Sequence, residues 1–408
     1  MLRRFLNNNY SLNVINKIYT CLIGIITTAF ITRYLGLGLK GEYAFILQIV
    51  NLLMIFLDFG INQSYSYFYK SNQGKVLKVY LDLYMLQLLI YAVICFPLAG
   101  IFRGDETLVG VLILIPMSVM CRQLESTMAV ENIRLKIMMH MVNATLKLGL
   151  AAVMFFARDL IGVHVIYPVL TIFAIDLFTV VIYIFALKYR PCIKIDPAFV
   201  KKILAYSWLP MLTSALITVN YSVDVFFLKH MGVAEQLSIY TTAAGIINYV
   251  WLIPDAFKEV LVSKVARTND VRPVNKALQM SVLCVLAICI GFIFLGKQFI
   301  QILYGADFLP SYGITLILII GCFSMVFYKI IGVLMLAEGK RVFYFAALFA
   351  SAVLNIIGNA LMIPKYGMYG AAWVSVASYT MCGIVFLLYY MKTKNVKAMD
   401  LIDIRRLK

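Results

Sequence analysis

Residues 35–58 read LGLGLKGEYAFILQIVNLLMIFLD, and their polar pattern returns in residues 231–255, MGVAEQLSIYTTAAGIINYVWLIPD. In each stretch a Tyr, an Asn and an Asp stand at the same spacing: Tyr43, Asn51 and Asp58, then Tyr240, Asn248 and Asp255. In both, the Asn and the Asp are seven positions apart, which places them on one face of a helix. Both stretches are too apolar for a soluble surface, so the repeat predicts a duplicated polar face inside a membrane. Such a face is typical of a transporter.

The composition is that of an integral membrane protein. Of the 408 residues 63% are apolar and 13% are charged, and the mean hydropathy is +0.90, whereas a soluble protein has roughly 25% charged residues. Apolar runs of about 20 residues recur along the chain, each long enough to cross a hydrocarbon core of about 30 Å. The sequence therefore predicts an all-α membrane protein of about twelve helices: 10–35, 43–69, 79–102, 107–130, 138–157, 160–187, 203–229, 237–260, 276–303, 312–337, 342–363 and 367–391. Only Arg158 and Asp159 divide the fifth run from the sixth.

The distribution of basic residues predicts the orientation. If the amino terminus is cytoplasmic, most of the 36 Lys and Arg residues fall on inner segments. The outer loops and helix ends would then hold Arg33, Lys40, Arg103, Arg158, Lys229, Lys297 and Lys365. This asymmetry follows the positive-inside rule, so both termini are predicted to be cytoplasmic. The net charge of +17 needs no nucleic-acid partner, because the cations are spread over short loops beside anionic lipid.

The loops and cysteines restrict the function further. The predicted organisation is an amino-terminal six-helix bundle at 1–190, a cytoplasmic linker at 191–202, a second bundle at 203–392 and a basic tail at 393–408. The sequence has no P-loop motif, so transport would draw on an ion gradient, the membrane potential or the substrate gradient. The eight cysteines show no C-x-x-C or Cys/His spacing, so we expect neither a disulfide, nor a metal, nor another cofactor.

Motifs at both ends of the chain are specific in combination. The amino-terminal part contains TRYLG at 32–36, GEYAFILQIVNLL at 41–53 and DFGINQSYSYF at 58–68. Residues 338–378 read EGKRVFYFAALFASAVLNIIGNALMIPKYGMYGAAWVSVAS. Together these segments resemble polysaccharide flippases of the multidrug/oligosaccharidyl-lipid/polysaccharide exporter superfamily.

The resemblance implies an architecture and a substrate. It implies two six-helix bundles related by a pseudo-twofold axis around a central cavity, working by alternating access. The substrate would be undecaprenyl diphosphate carrying one oligosaccharide repeat unit, moved from the cytoplasmic to the outer leaflet of a bacterial inner membrane. The expected partners are this lipid-linked oligosaccharide, membrane lipids, and a polysaccharide polymerase and chain-length protein. O-antigen synthesis for lipopolysaccharide is one pathway among those that this substrate leaves open.

Basic residues within the predicted helices are candidates for binding a diphosphate, because charges in a membrane usually face a cavity or a partner. Arg122 either neutralises Glu125, three positions away, or lies at the cavity mouth. Lys147 and Lys329, one in each half, either contact the diphosphate, snorkel to the interface or pair across helices. Arg33 either anchors its helix at the interface or holds a departing diphosphate with its guanidinium fork.

Buried carboxylates are candidates for ion coupling. Asp58 and Asp255 occupy equivalent places in the two halves, and Asp224 stands four residues after Asn220 on one helix face. A proton or sodium ion that neutralises such a group favours closure of its half, since an unpaired buried carboxylate is unfavourable. The alternative is that these carboxylates form structural ion pairs. Asp255 and Lys258, three positions apart like Arg122 and Glu125, either neutralise each other or have a role in the cavity.

Three classes of function are compatible with these features. The first is the lipid-linked oligosaccharide flippase. The second is a cation-coupled multidrug antiporter, although the inner cations favour an anionic substrate. The third is a membrane polysaccharide polymerase, an enzyme that would need a sizeable outer loop with paired catalytic residues. No outer loop of the predicted topology is that long, so we predict no catalytic residues.

Overall fold

The computed structural model describes residues 9–71, 76–190, 196–231, 233–265 and 272–396. Within these ranges the regular structure is helical. The helices are α1 (Asn9–Leu57), α2 (Ile61–Ser71), α3 (Leu77–Ile101), α4 (Glu106–Glu131), α5 (Ile133–Phe156), α6 (Arg158–Ile161), α7 (Ile166–Ala186), α8 (Pro197–Met231), α9 (Ala234–Val265), α10 (Arg272–Leu303), α11 (Ser311–Ala337) and α12 (Arg341–Lys394). A 3₁₀ turn, Ala306–Phe308, connects α10 to α11.

Two of the helices each contain a pair of predicted membrane segments. Gly36 in α1 and Gly367 in α12 have non-helical backbone angles, with φ of 66° and 54°. Glycine adopts positive φ without a steric penalty, so the chain turns at these residues between one segment and the next. The described residues contain ten helical stretches that are long and apolar enough to cross a membrane, and two of these bend at the glycines. The predicted all-α membrane class is confirmed.

The division between the fifth and sixth predicted segments is present. Helix α5 ends at Phe156, the single turn α6 follows, and α7 begins at Ile166. Gly162 ends α6 with a φ of 74°. Arg158 and Asp159 therefore lie in a short connection between two membrane helices, as the sequence predicted.

The chain forms two compact units, Met1–Ala215 and Leu216–Lys408, and the boundary falls within α8. In the amino-terminal unit, α4 packs against α1, α3 and α7, and α5 packs along α1. In the carboxy-terminal unit, α11 packs against α9, α10 and α12. The predicted linker 191–202 lies partly outside the described residues, and from Pro197 it continues into α8. Most of the predicted tail, from 397 onward, also lies outside them.

The second predicted helix, 43–69, is wrong as a continuous segment. Helix α1 ends at Leu57, α2 begins at Ile61, and Phe59 and Gly60 between them have φ of 52° and 69°. Asn51 is exposed and Asp58 is buried, so the two do not share a helix face in one environment. The predicted face breaks just where the acidic residue stands.

Side-chain hydrogen bonds to a backbone carbonyl and close packing explain the break. The carbonyl of Leu57 accepts the Tyr91 hydroxyl at 2.7 Å and the Gln87 amide at 3.2 Å. A Cβ on Gly60 would lie 2.6 Å from the backbone oxygen of Ser207 in the first part of α8. The chain thus leaves the helix where side chains satisfy the freed carbonyl and where only glycine fits.

Candidate functional site

Asp58 lies in the break between α1 and α2. It is 2% exposed, and its carboxylate accepts the Gln123 side-chain amide at 2.7 Å and the Asn62 backbone N–H at 3.3 Å. Gln123 also donates to the Gln87 side-chain oxygen at 2.7 Å. One buried carboxylate therefore links the helix break to α3 and α4.

Arg122 lies beside this network. It is half-buried on α4 and near enough to Asp58 for electrostatic attraction. Glu125, its suggested partner, instead lies 3.7 Å from His140 on α5. The positive charge of Arg122 therefore acts on the coupling candidate Asp58.

Asp255 makes a different contact in the carboxy-terminal unit. Its carboxylate accepts a hydrogen bond from the Lys329 ammonium of α11 at 2.6 Å. This ammonium also lies 5.3 Å from the centre of the Trp251 ring. The pairing that the sequence left open between Asp255 and Lys258 is therefore made with Lys329 across two helices.

The internal repeat extends to tertiary contacts. In each unit the repeated Asp reaches the helix that corresponds to the fourth membrane segment of its half, which is α4 for Asp58 and α11 for Asp255. The partner is an uncharged amide, Gln123, in the first unit and an ammonium, Lys329, in the second. In both halves the repeated Asp therefore contacts the corresponding helix, but its partner is uncharged in the first half and positively charged in the second.

Asp224, the third coupling candidate, is buried and accepts hydrogen bonds from three residues. It is 2% exposed and accepts the backbone N–H of Val225 at 2.8 Å and the Ser375 hydroxyl at 3.1 Å. The Tyr240 hydroxyl also donates to it. Tyr240 is the repeat residue of α9 and Ser375 belongs to α12, so this carboxylate joins three helices of one unit.

A second polar group lies one turn away on α8. The Asn355 side chain donates to the Asn220 backbone oxygen at 2.9 Å and to the Ser378 hydroxyl at 3.1 Å. Ser378 in turn donates to the Asn220 side chain at 3.2 Å. Asn220 and Asp224 share a helix face as predicted, and that face is turned to α12.

The remaining predicted cations lie apart from these networks. Lys147 is half-buried on α5, and it lies within electrostatic reach of Asp176, which accepts the Ser118 hydroxyl at 2.6 Å. Arg33 is exposed on α1. Lys147 and Lys329 therefore each lie near a carboxylate of a neighbouring helix, and the predicted cations do not form one cluster within either unit.

Comparison with protein-family models identifies the family of the chain. The model of the polysaccharide biosynthesis protein family matches residues 6–253, more than half of the sequence. The chain belongs to the polysaccharide biosynthesis protein family. The family predicted from the terminal motifs is therefore confirmed, while no curated protein matches the chain.

Solved structures show the fold of this family member. The lipid II flippase MurJ in an inward closed conformation is 17% identical, with a TM-score of 0.77 over 96% of this chain and 89% of that one. An inward-facing multidrug resistance MATE family transporter of the MOP superfamily is 14% identical, with a TM-score of 0.67 over 95% and 99%. A mutant of the Vibrio cholerae MATE transporter VcmN is 15% identical, with a TM-score of 0.63 over 97% and 98%. The fold is that of membrane transporters.

Several polar residues of this polysaccharide biosynthesis family member were not identified from the sequence. They are Gln123 and Ser375, which donate to the predicted carboxylates Asp58 and Asp224, and Asn355 and Ser378, which donate to Asn220. Their signal was present, since Ser375 and Ser378 stand three apart in an apolar helix and Asn355 and Asn359 four apart. Such spacing places polar groups on one face, and that face is turned to α8.

Proposed function

We propose that this protein is a flippase for lipid-linked oligosaccharide repeat units carried on undecaprenyl diphosphate. It moves them from the cytoplasmic to the outer leaflet of a bacterial inner membrane by alternating access, and both of its termini are cytoplasmic. An ion gradient drives the cycle. A polysaccharide polymerase and a chain-length protein use the product on the outer face.

One observation carries this proposal: a member of the polysaccharide biosynthesis family has the fold of a lipid II flippase along almost its whole length. A diphosphate and a sugar cannot cross hydrocarbon unaided, because polar groups without water are unfavourable by several kcal/mol each. The transport protein must therefore supply cations and hydrogen-bonding groups within the membrane. This chain has buried and half-buried cations in helices of both units.

The residues divide into two proposed roles. Arg122, Lys147 and Lys329 contact the diphosphate within the membrane, and Arg33 contacts it at the outer end of α1. Three carboxylates bind the coupling ion or govern its effect: Asp58, Asp224 and Asp255. Asp58 and Asp224 are nearly inaccessible, so a change in their charge alters the stability of the helix contacts that they make.

Sidedness of the lipid-linked oligosaccharide in cells tests the proposal. Cells that lack this chain are probed with a membrane-impermeant lectin before and after the inner membrane is opened. Repeat units that become accessible only after opening support the flippase. Units already displayed outside would contradict it, because translocation would then proceed without this protein.

The second candidate is a cation-coupled multidrug antiporter. The observation that favours it is the fold shared with MATE transporters over at least 95% of this chain. It predicts that loss of the chain sensitises cells to cationic drugs and leaves the sidedness of the oligosaccharide unchanged. The two readouts therefore separate the candidates in one strain.

A further inference from the structure

The ion pair between Lys329 and Asp255 has one buried and one accessible partner. The lysine side chain is 8% exposed, whereas the carboxylate side chain is 36% exposed. The carboxylate therefore lies on the accessible side of the ammonium. An anion that approaches from that side meets Asp255 before it meets Lys329.

An aromatic cluster holds the ammonium in place. The Trp251 ring faces the Lys329 ammonium at 5.3 Å and packs against Tyr221 at 4.8 Å and Tyr379 at 5.5 Å between ring centres. Such a contact attracts a cation without neutralising it. The Trp251 ring therefore helps to hold the Lys329 ammonium in its position.

The carboxylate stands at a weak point of its helix. Pro254 precedes Asp255 inside α9. Proline has no backbone N–H to donate to the preceding turn, and its ring disturbs that turn, so helices bend readily at such a residue. Asp255 is therefore the partner that can move, and Lys329 is the fixed one.

We propose that Asp255 occupies the position of a phosphate oxygen on Lys329, and that the diphosphate of a lipid-linked substrate displaces it. This inference rests on the proposed function and names the group that the carboxy-terminal unit recognises. An ammonium this deep is strongly destabilised without an anionic partner, so Asp255 leaves only when another anion arrives. The exchange selects a phosphate-class headgroup and excludes neutral or cationic ones.

The repeat provides an internal comparison. Asp58 corresponds to Asp255, but its carboxylate accepts from the amide of Gln123 and is only 2% exposed. An uncharged amide does not require an anion, and a carboxylate so deeply buried does not meet one. The corresponding exchange is therefore not expected at Asp58.

Binding of farnesyl diphosphate to the purified full-length chain tests the exchange. An internal competitor that occupies a site about nine-tenths of the time weakens the apparent affinity about tenfold. Asp255→Asn keeps the side-chain shape without the charge, so its Kd should fall about tenfold below that of the wild type. Lys329→Gln in the Asp255→Asn background should abolish the gain. A Kd for Asp255→Asn that equals or exceeds the wild-type value would overturn the inference.

The chain offers a matched control for this variant. Lys394 and Glu338 form a second lysine–carboxylate ion pair in the same unit, with both side chains about one-quarter exposed. Glu338 caps the end of α11, the helix that carries Lys329, and Glu338→Gln removes that carboxylate without removing either partner of the Lys329–Asp255 pair. Its Kd for farnesyl diphosphate should equal that of the wild type, and an equal gain in both variants would overturn the inference by assigning the effect to net charge.

A crosslinking measurement needs no variant of the pair. At 2.6 Å a carbodiimide can join Asp255 to Lys329 through an amide bond, which peptide mass spectrometry detects. Farnesyl diphosphate should suppress this crosslink, farnesol should not, and the crosslink between Glu338 and Lys394 should form in every case. A crosslink between Asp255 and Lys329 that persists at saturating farnesyl diphosphate would overturn the exchange.

The outcomes separate this inference from the proposed function. Oligosaccharide trapped inside cells that lack the chain would support the flippase. If, in addition, Asp255→Asn leaves the Kd for farnesyl diphosphate unchanged and farnesyl diphosphate does not suppress the crosslink between Asp255 and Lys329, the exchange fails while the flippase function stands. If the oligosaccharide is displayed normally without the chain, the proposed function fails whatever the crosslink shows.

Discussion

Replacement of Asp224 by Ala should destabilise the carboxy-terminal unit. The carboxylate accepts hydrogen bonds from the Tyr240 and Ser375 hydroxyls and from the Val225 backbone. Without it, the two hydroxyls are only 3.3 Å apart and can bond to each other. One buried polar hydrogen then has no acceptor, at a cost of about 1–3 kcal/mol.

The magnitude distinguishes Asp224→Ala from a conservative change. We expect Asp224→Ala to lower the free energy of unfolding by about 2 kcal/mol, since an orphaned hydroxyl and the lost charge-assisted bonds act together. Asp224→Asn retains an acceptor oxygen and should cost about 1 kcal/mol. Tyr240→Phe removes the donor instead and should also cost about 1 kcal/mol.

A double-mutant cycle isolates the contact between the two side chains. In the Asp224→Ala background, Tyr240→Phe should cost about 1 kcal/mol less than it does alone, because the acceptor is already gone. Tyr366 provides the control, because it is 62% exposed on α12 and its change to Phe should leave stability unaltered.

The buried cysteines provide the assay. Cys289, Cys322 and Cys382 are at most 3% exposed and are free thiols, so a thiol-reactive fluorophore reports their exposure as the detergent-solubilised protein unfolds in denaturant. Equal stability of Asp224→Ala and the wild type would refute the reasoning. So would a Tyr240→Phe effect that is the same in both backgrounds.

Three further changes test other parts of the account. Gly60→Ala should destabilise the amino-terminal unit by about 2 kcal/mol or more, because its Cβ would lie 2.6 Å from the Ser207 oxygen at a φ of 69°; unfolding measured with the same fluorophore checks this, and a neutral result would show that the break does not require glycine. Lys147→Gln should slow translocation in vesicles by about tenfold to a hundredfold, since a charge-assisted bond contributes about 1.5–3 kcal/mol, and Lys147→Arg should retain the rate; an unchanged rate for Gln would assign Lys147 to a structural contact. Asp58→Asn should fold normally and lose the dependence of transport on the ion gradient, and a retained dependence would remove Asp58 from coupling.

The sequence predicted the class and most of the helices because hydrophobic length alone determines both in a membrane. It did not predict the break at Asp58–Gly60. An apolar run has no periodicity that distinguishes one helix from two. The break depends on Tyr91 and Gln87 of another helix, which donate hydrogen bonds to the Leu57 carbonyl. Gly60 was the available signal, but glycine is common in membrane helices.

The candidate site was predicted only in part for a related reason. The duplication identified Asp58 and Asp255 directly, and its position within a predicted membrane helix identified Lys329 as a candidate for binding the diphosphate. Pairing across helices depends on which faces meet, and helices that are apolar nearly all round do not reveal their faces. The contact between Lys329 and Asp255 therefore required the structure, as did the hydroxyl partners of Asp224.

Reconstitution tests the central claim most directly. The purified chain is placed in sealed vesicles with undecaprenyl-diphosphate-linked oligosaccharide in the inner leaflet, and an impermeant lectin measures its arrival outside. The account predicts translocation well above that of protein-free vesicles, dependent on an imposed ion gradient and slowed by Lys329→Gln. A rate equal to that of protein-free vesicles would contradict the claim that this chain is a flippase for lipid-linked oligosaccharide.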